Sequence, residues 1–262
     1  MKSISRKLDL LFSLAGRDFK LKYRESVLGA IWSVLVPLVM LGLYTAVFST
    51  IFSARWGTTP VVNKADYAVI LFIGLIVYGI FAETIARAPK VIIDHPGFVK
   101  KVVFPLEILP GVVLLSALYN AAMEAVALLI FLSFSSFSLH WAALLFPIVL
   151  IPFLALVFGL ALIFASLGVF LRDFDQFAGL LTRIMMYLMP VLYPASIFPE
   201  PWRHLMEANP MAVFIGQIRN LVVFGRLPDW PQLGWASLWS SVVLVIGCFW
   251  FQKTRKAFAD VI

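Results

Sequence analysis

The stretch "RDFKLKYRESVLGAIWSVLVPLVM", Arg17–Met40, decides how the chain is to be read. It begins as a charged helical pattern and becomes, from Val27, a run without charge that lasts to Phe52. A secretory signal has an apolar core of about 7–15 residues followed by a small-residue cleavage site. Val27–Phe52, at ~1.5 Å per residue, is longer than the roughly 30 Å hydrocarbon core requires, so a tilted spanning helix fits. Phe52-Ser53-Ala54 makes a poor cleavage sequence. The whole chain is 62% hydrophobic and 13% charged, against about 25% charged residues in a soluble domain. The first apolar run is therefore a retained wall of an integral membrane protein.

Apolar runs predict an all-α protein with six spans: Gly29–Phe52, Tyr67–Ala86, Ile108–Phe134, Ala142–Leu171, Phe177–Tyr193 and Leu233–Phe251. The fourth carries Pro147 and Pro152, which neighbouring helices can accommodate by satisfying the freed carbonyls. Lys2, Arg6, Lys7, Arg17, Lys20, Lys22 and Arg24 precede the first span. Arg87, Lys90, Lys100 and Lys101 lie between the second and third, Arg172 follows the fourth, and Lys253, Arg255 and Lys256 follow the sixth. The other side holds only Arg55, Lys64, Arg203, Arg219 and Arg226. This bias predicts that both termini are cytoplasmic. The net charge of +7 then matches the anionic inner leaflet rather than nucleic acid.

Three segments do not span. Residues 4–23 place Ile4, Leu8, Leu11, Phe12, Ala15, Phe19 and Tyr23 on one stripe, with Arg6, Asp9, Ser13, Arg17 and Lys20 opposite. The pattern fits a membrane anchor and a docking surface for a cytoplasmic partner equally well. The loop "RAPKVIIDHPGFVKKVVFPLEILP" (Arg87–Pro110) is interrupted at Pro89, Pro96-Gly97 and Pro105, which predicts short helices joined by turns. Between Tyr193 and Trp235, two helical pieces separated by Asn209-Pro210 predict a re-entrant or interfacial hairpin that caps the outer mouth.

Soluble-enzyme chemistry is not written in this chain. It has no G-x-x-x-x-G-K-[ST] loop, no H-E-x-x-H and no G-x-S-x-G. The single Cys248 excludes an intrachain disulfide, and His95, His140 and His204 are too scattered to suggest a metal. Ionisable groups within spans are few. Glu83 and Arg183 read as snorkelling helix-end charges, whereas Glu124, on one helix with Tyr119 and Asn120, reads as a functional or packing group deep in the third span. Tyr44, Phe48 and Phe52 share a face of the first span, and Tyr187 and Tyr193 sit in the outer part of the fifth. Such rings suit a wall that slides past the apolar faces of sugars, and equally an interfacial aromatic belt.

Taken together, "RDFKLKYRESVLGAIWSVLVPL" (17–38), "GFVKKVVFPLEILP" (97–110), and "RDFDQ" followed by "MPVLYPASIFPEPWRHLMEANP" (172–210) resemble the permease subunits of type 2 ABC exporters. Within these the closest branch exports O-antigen, capsule and teichoic acid polymers. Met189 stands where the family more often has Ser. The resemblance implies a single ABC-2 type transmembrane domain over 1–262, with an interface helix (1–25), a coupling and gate loop (87–105) and an outer re-entrant hairpin (194–232). It implies a homodimer around a central pathway in the inner membrane, with two ATP-binding cassette subunits docked below. ATP and Mg would be bound by those subunits and no cofactor by this chain, in keeping with the missing phosphate loop. The cargo would be a lipid-linked polysaccharide. An ABC-2 exporter of a drug or small lipid is the alternative within the superfamily; an ion-coupled carrier or intramembrane enzyme is more remote. Under this resemblance Tyr44, Phe48, Phe52, Glu124, Tyr187 and Tyr193 are the substrate pathway. Asp94 and His95 are ATPase contacts. Phe98, Lys100 and Lys101 form a cytoplasmic gate, its lysines meeting either the lipid diphosphate or the anionic leaflet.

Overall fold

The structure is a computed structural model that describes residues 2–22, 31–51, 64–99, 104–132, 140–193 and 199–262. The described residues are helical, with no strand among them. In chain order the α-helices are α1 (Lys2–Lys22), α2 (Trp32–Ile51), α3 (Lys64–Arg87), α4 (Pro96–Val99), α5 (Ile108–Leu132), α6 (Phe146–Phe170), α7 (Phe174–Leu188), α8 (Glu200–Ala208), α9 (Pro210–Val222), α10 (Trp230–Thr254) and α11 (Phe258–Val261). Four helical stretches among the described residues are long and apolar enough to cross a membrane: Tyr67–Lys90, Ile108–Leu132, Trp141–Phe170 and Trp230–Val261.

The centre is α3, which packs against α2, α5, α7 and α9. Its residues from Tyr67 to Ile73 are almost wholly enclosed. The most extensive helix pair is α6 with α10. Two glycines let their backbones touch: a Cβ on Gly247 would lie 2.3 Å from the Gly159 carbonyl oxygen, and one on Gly159 would lie 2.7 Å from the Leu244 Cα. Small residues at a crossing permit this approach, and dispersion between backbones then holds the pair where lipid offers no hydrophobic drive. The outward face of α10, with Trp235, Leu238, Val245 and Phe249, is exposed on the chain, as expected of a helix solvated by lipid.

Span five departs from its predicted extent. The apolar pattern runs through to Tyr193, but α7 ends at Leu188 and Met189 turns extended, at φ −101° and ψ 149°. Pro190 explains the stop. It lacks an N–H and disfavours the helical conformation in the residue before it. The chain then turns through Val191–Tyr193, with the Val191 amide donating to the Met189 carbonyl at 2.7 Å. The break between α8 and α9 falls at Asn209-Pro210, where the sequence put it. Asn209 caps α9 by accepting from the Met211 amide at 3.0 Å, with Pro210 at the first helical position. Helix α9 is buried nearly all round, and Phe214 meets Phe153 of α6 edge to face at 5.9 Å.

Candidate functional site

At the basic end, α1 lies along the start of α5. Ala15 is sealed against Ile108 and Val112, and Phe19 meets Tyr119 edge to face at 5.8 Å. Of the predicted stripe, Leu11, Ala15 and Phe19 face the chain, whereas Leu8 and Phe12 remain about half exposed. Polar residues beside the stripe tie the helix down. Lys7 pairs with Glu107 at 2.8 Å, and Arg255, just past α10, approaches the same carboxylate at 3.7 Å. Burial pushes the Glu107 carboxyl up, but the Lys7 hydrogen bond, a backbone amide and the charges of Lys7 and Arg255 outweigh it and hold it below the usual carboxylate range.

A second ionic node joins α1 to α3 and α5. Arg87 donates twice to the Asp18 carboxylate, at 2.9 and 2.8 Å, and once to Glu83 at 3.2 Å. Glu83 also accepts from Asn120 at 2.6 Å and from Lys22 at 3.4 Å. Read from the sequence as a snorkelling helix-end charge, Glu83 is instead part of an inter-helix network, 20% exposed and accepting from Lys22, Arg87 and Asn120. Glu124 lies one helix turn from Asn120 and faces α3 at Gly79, where an added Cβ would sit 3.9 Å from its Oε2. Arg183 is exposed on the chain.

Between α1, the end of α3 and the start of α5 opens a notch of about 300 Å³ whose lining includes Arg17, Asp18, Arg87, Lys90, Asp94, His95 and Phe98. The loop that supplies its floor begins with a 3-10 turn, Ala88–Lys90, and Lys90 pairs with Asp175 at the start of α7 at 2.5 Å. Val91 and Ile92 are buried, whereas Ile93 and Asp94 turn outward. His95 holds the Val91 carbonyl at 2.8 Å through Nδ1 and stacks on Phe98 at 5.7 Å, which stacks on Phe104 at 4.3 Å. Three residues singled out from the sequence, Asp94, His95 and Phe98, thus share one notch. Lys100, Lys101 and Phe52 lie outside the described residues, as do the side chains of Tyr44 and Phe48 on α2.

At the opposite end, Tyr187 stands exposed on the last turn of α7, and the Tyr193 hydroxyl donates back to the Tyr187 carbonyl. The unwound segment between them is held by residues that sequence reasoning did not select. Arg219 of α9, treated from the sequence as an outer loop charge, is 3% exposed. Its guanidinium donates to the carbonyls of Pro190 and Val191, each at 2.5 Å, and to that of Ile70 at 2.9 Å. The Tyr67 hydroxyl donates to the Leu192 carbonyl at 3.0 Å. The sequence signal was Arg219 as the one charge in the helical run "MAVFIGQIRNLVV".

Residues 9–223 match the ABC-2 type transporter family. The chain belongs to that family. Two relatives named O-antigen export system permease protein RfbA are similar over nearly their full lengths. The one from Klebsiella pneumoniae is 27% identical over 256 residues, 97% of this chain and 95% of the relative. The one from Myxococcus xanthus is 29% identical over 254 residues, 96% and 94%. The polysialic acid transport protein KpsM of Escherichia coli is 22% identical over 251 residues, 92% of each. In this ABC-2 transporter, then, the ionic nodes tie α1 and a short loop to the ends of α3, α5, α7 and α10. That arrangement can pass a displacement of α1 or the loop into α3, α5, α7 and α10.

Proposed function

We propose that this chain is the channel-forming permease of an ATP-driven exporter that moves a lipid-linked polysaccharide outward across the cytoplasmic membrane. The observation that carries the reading is the near end-to-end similarity to permeases named for O-antigen export and to a polysialic acid transport protein. In this reading the chain spans six times, with α2 and α7 joining the four long apolar helices, and both termini are cytoplasmic. Helices α8 and α9 form the outer hairpin. Helix α7 alone reaches ~22 Å, short of the roughly 30 Å core, and the non-helical segment Met189–Tyr193 continues it.

Two copies enclose the pathway and two separate ATPase subunits supply the energy. A two-fold dimer presents the same wall twice, which a wide polymer needs and one chain of this size does not supply. Asp94, exposed at the notch, and His95 contact the ATPase. Phe98 with Lys100 and Lys101 forms the gate at the cytoplasmic mouth, the lysines acting as point charges toward the lipid diphosphate. Tyr44, Phe48, Phe52, Glu124, Tyr187 and Tyr193 belong to the pathway. The test is deletion of the gene in the cell that carries it. Surface polysaccharide should be lost while lipid-linked polymer accumulates inside, and the wild-type chain should restore export. Unchanged surface polymer in the deletion strain rejects this function.

A further inference from the structure

Ending α7 at Met189 creates a physical problem. Non-helical backbone at membrane depth exposes carbonyls that lipid cannot satisfy, so it persists only where protein groups bind them. Here the groups come from two other elements. Arg219 of α9 takes the Pro190 and Val191 carbonyls, and Tyr67 of α3 takes that of Leu192. Arg219 also donates to the Ile70 carbonyl of α3 at 2.9 Å. Helix α3 makes room for it with a glycine: a Cβ on Gly74 would stand 2.0 Å from Nη2 and 2.8 Å from Cζ. One enclosed guanidinium in a glycine slot therefore joins the hairpin, α3 and the broken end of α7. A planar guanidinium donates in several fixed directions, which suits carbonyls arriving from two elements. The segment it holds is flanked by Tyr187 and Tyr193, themselves joined through the Tyr193 hydroxyl.

We propose that Arg219 is a positioning residue of the outer pathway: through the Pro190 and Val191 carbonyls it fixes the unwound segment that aims Tyr187 and Tyr193, and through Ile70 it clamps the outer hairpin to α3. The role in passage rests on the export reading above; the latch itself does not. Loss of the latch leaves assembly and basal ATP hydrolysis intact and impairs the exit of polymer.

The test uses the full chain in lipid nanodiscs with Cys248→Ser and one introduced cysteine, either Tyr187→Cys beside the latch or Asp94→Cys at the far notch. Maleimide labelling rates are compared with Arg219 intact and in Arg219→Gln, Arg219→Lys and Gly74→Ala. Gln removes the charge and shortens the side chain, and Ala at Gly74 expels the guanidinium without altering it. Both should change the rate at position 187 by about tenfold and leave that at position 94 as it was, because a local opening is confined to its own unit. Lys, a point charge in place of the planar fork, should give a smaller change at position 187 than Gln does. No change at 187, or equal changes at both positions, overturns the proposal. If Arg219→Gln is not recovered in membranes, Gly74→Ala and Tyr67→Phe, which removes the hydroxyl bonded to the Leu192 carbonyl, decide by the same site-selective criterion. With the partner ATPase and lipid-linked polymer present, export should fall about tenfold at unchanged basal hydrolysis. Altered labelling with unchanged export overturns the role in passage. A wild-type complex that moves no polymer rejects the export reading instead, and the labelling rates still decide the latch.

Discussion

Arg87 and Lys7 both pair with carboxylates, yet their surroundings differ. Arg87, 38% exposed, bonds Asp18 twice and also reaches Glu83, carboxylates that are 31% and 20% exposed; Lys7, 48% exposed, pairs with Glu107, which is 36% exposed. Removing a donor from enclosed carboxylates costs the desolvation they keep, whereas an exposed pair is screened by water. Arg87→Met should therefore lower stability by about 1–3 kcal/mol and Lys7→Met by less than about 1 kcal/mol. Thermal unfolding of the two variants in the same detergent checks this, and equal losses would contradict it. Glu107 adds a pH dependence. Its folded pKa lies below the ordinary value of about 4.3, so its pairing stabilises the docked α1 above that value and is lost as pH falls through the folded pKa. Hydrogen exchange of α1 should accelerate as pH is lowered from about 5 to about 3, beyond the intrinsic trend. Glu107→Gln should remove that step. A step of unchanged size in the Gln variant would assign it to another group.

Elements show which parts of this molecule were readable in its sequence. Long apolar runs fixed most helices because burial in lipid demands length and hydropathy, which are local properties: Tyr67–Ala86 became part of α3, and Ile108–Phe134 and Leu233–Phe251 became α5 and α10. Proline and asparagine signalled the α8–α9 break for an equally local reason. The end of α7 was also written, in Pro190, but apolar residues on both sides of the break masked it. What could not be read was pairing between distant elements. Glu83 looks like an ordinary helix-end charge until Asn120, 37 residues away, is placed beside it. Arg219 looks like a loop charge until Ile70, 149 residues away, receives it.

The α6–α10 crossing belongs to the same class: Gly159 and Gly247 are inconspicuous singly and obligatory together. Gly247→Ala must push a Cβ that would stand 2.3 Å from a backbone oxygen, and neither backbone can rotate away as a side chain would. The expected cost is about 1–3 kcal/mol, read as a lowered midpoint of unfolding. At Gly234, where an added Cβ meets nothing within 4 Å, Ala should be neutral or stabilising. The basic loop offers an element-scale test of coupling. Asp94→Ala with His95→Ala should weaken assembly with the ATPase or the hydrolysis linked to transport. Lys100→Ala with Lys101→Ala should leave assembly intact and reduce stimulation by the lipid-linked substrate. Wild-type behaviour in both pairs would remove the loop from the mechanism.

The scale of the whole molecule turns on which helices cross. Four stretches meet the requirement by length and composition, and α2 and α7 are the two whose crossing decides the path of the chain. Because four and six are both even, the termini share a side in either case, so labelling Ser3 and Thr254 alone does not separate the two. The loops do. If α2 crosses, Thr58 lies opposite Ser3; if it does not, Thr58 lies with Ser3 and His95 moves to the far side. If α7 crosses, Arg172 and Asp229 lie on opposite sides; otherwise they share one. The energetic case for six is that α2 is uncharged over its 20 residues and exposes Leu35, Val39 and Leu43 on the chain, a face that lipid solvates without cost and water does not. In α7, Phe177, Leu180 and Ile184 are exposed in the same way, and Arg219 and Tyr67 satisfy the carbonyls that its early end leaves open. Single cysteines at Ser3, Thr58, His95, Ser135, Arg172, Asp229 and Thr254, in a Cys248→Ser chain in intact cells, should therefore react with an impermeant maleimide only at Thr58, Ser135 and Asp229. Protection of Thr58 together with Ser3 would take α2 out of the membrane and with it the predicted aromatic face of Tyr44, Phe48 and Phe52. Labelling of Thr254 alongside protection of Ser3 would give an odd number of crossings and overturn the six-span reading altogether.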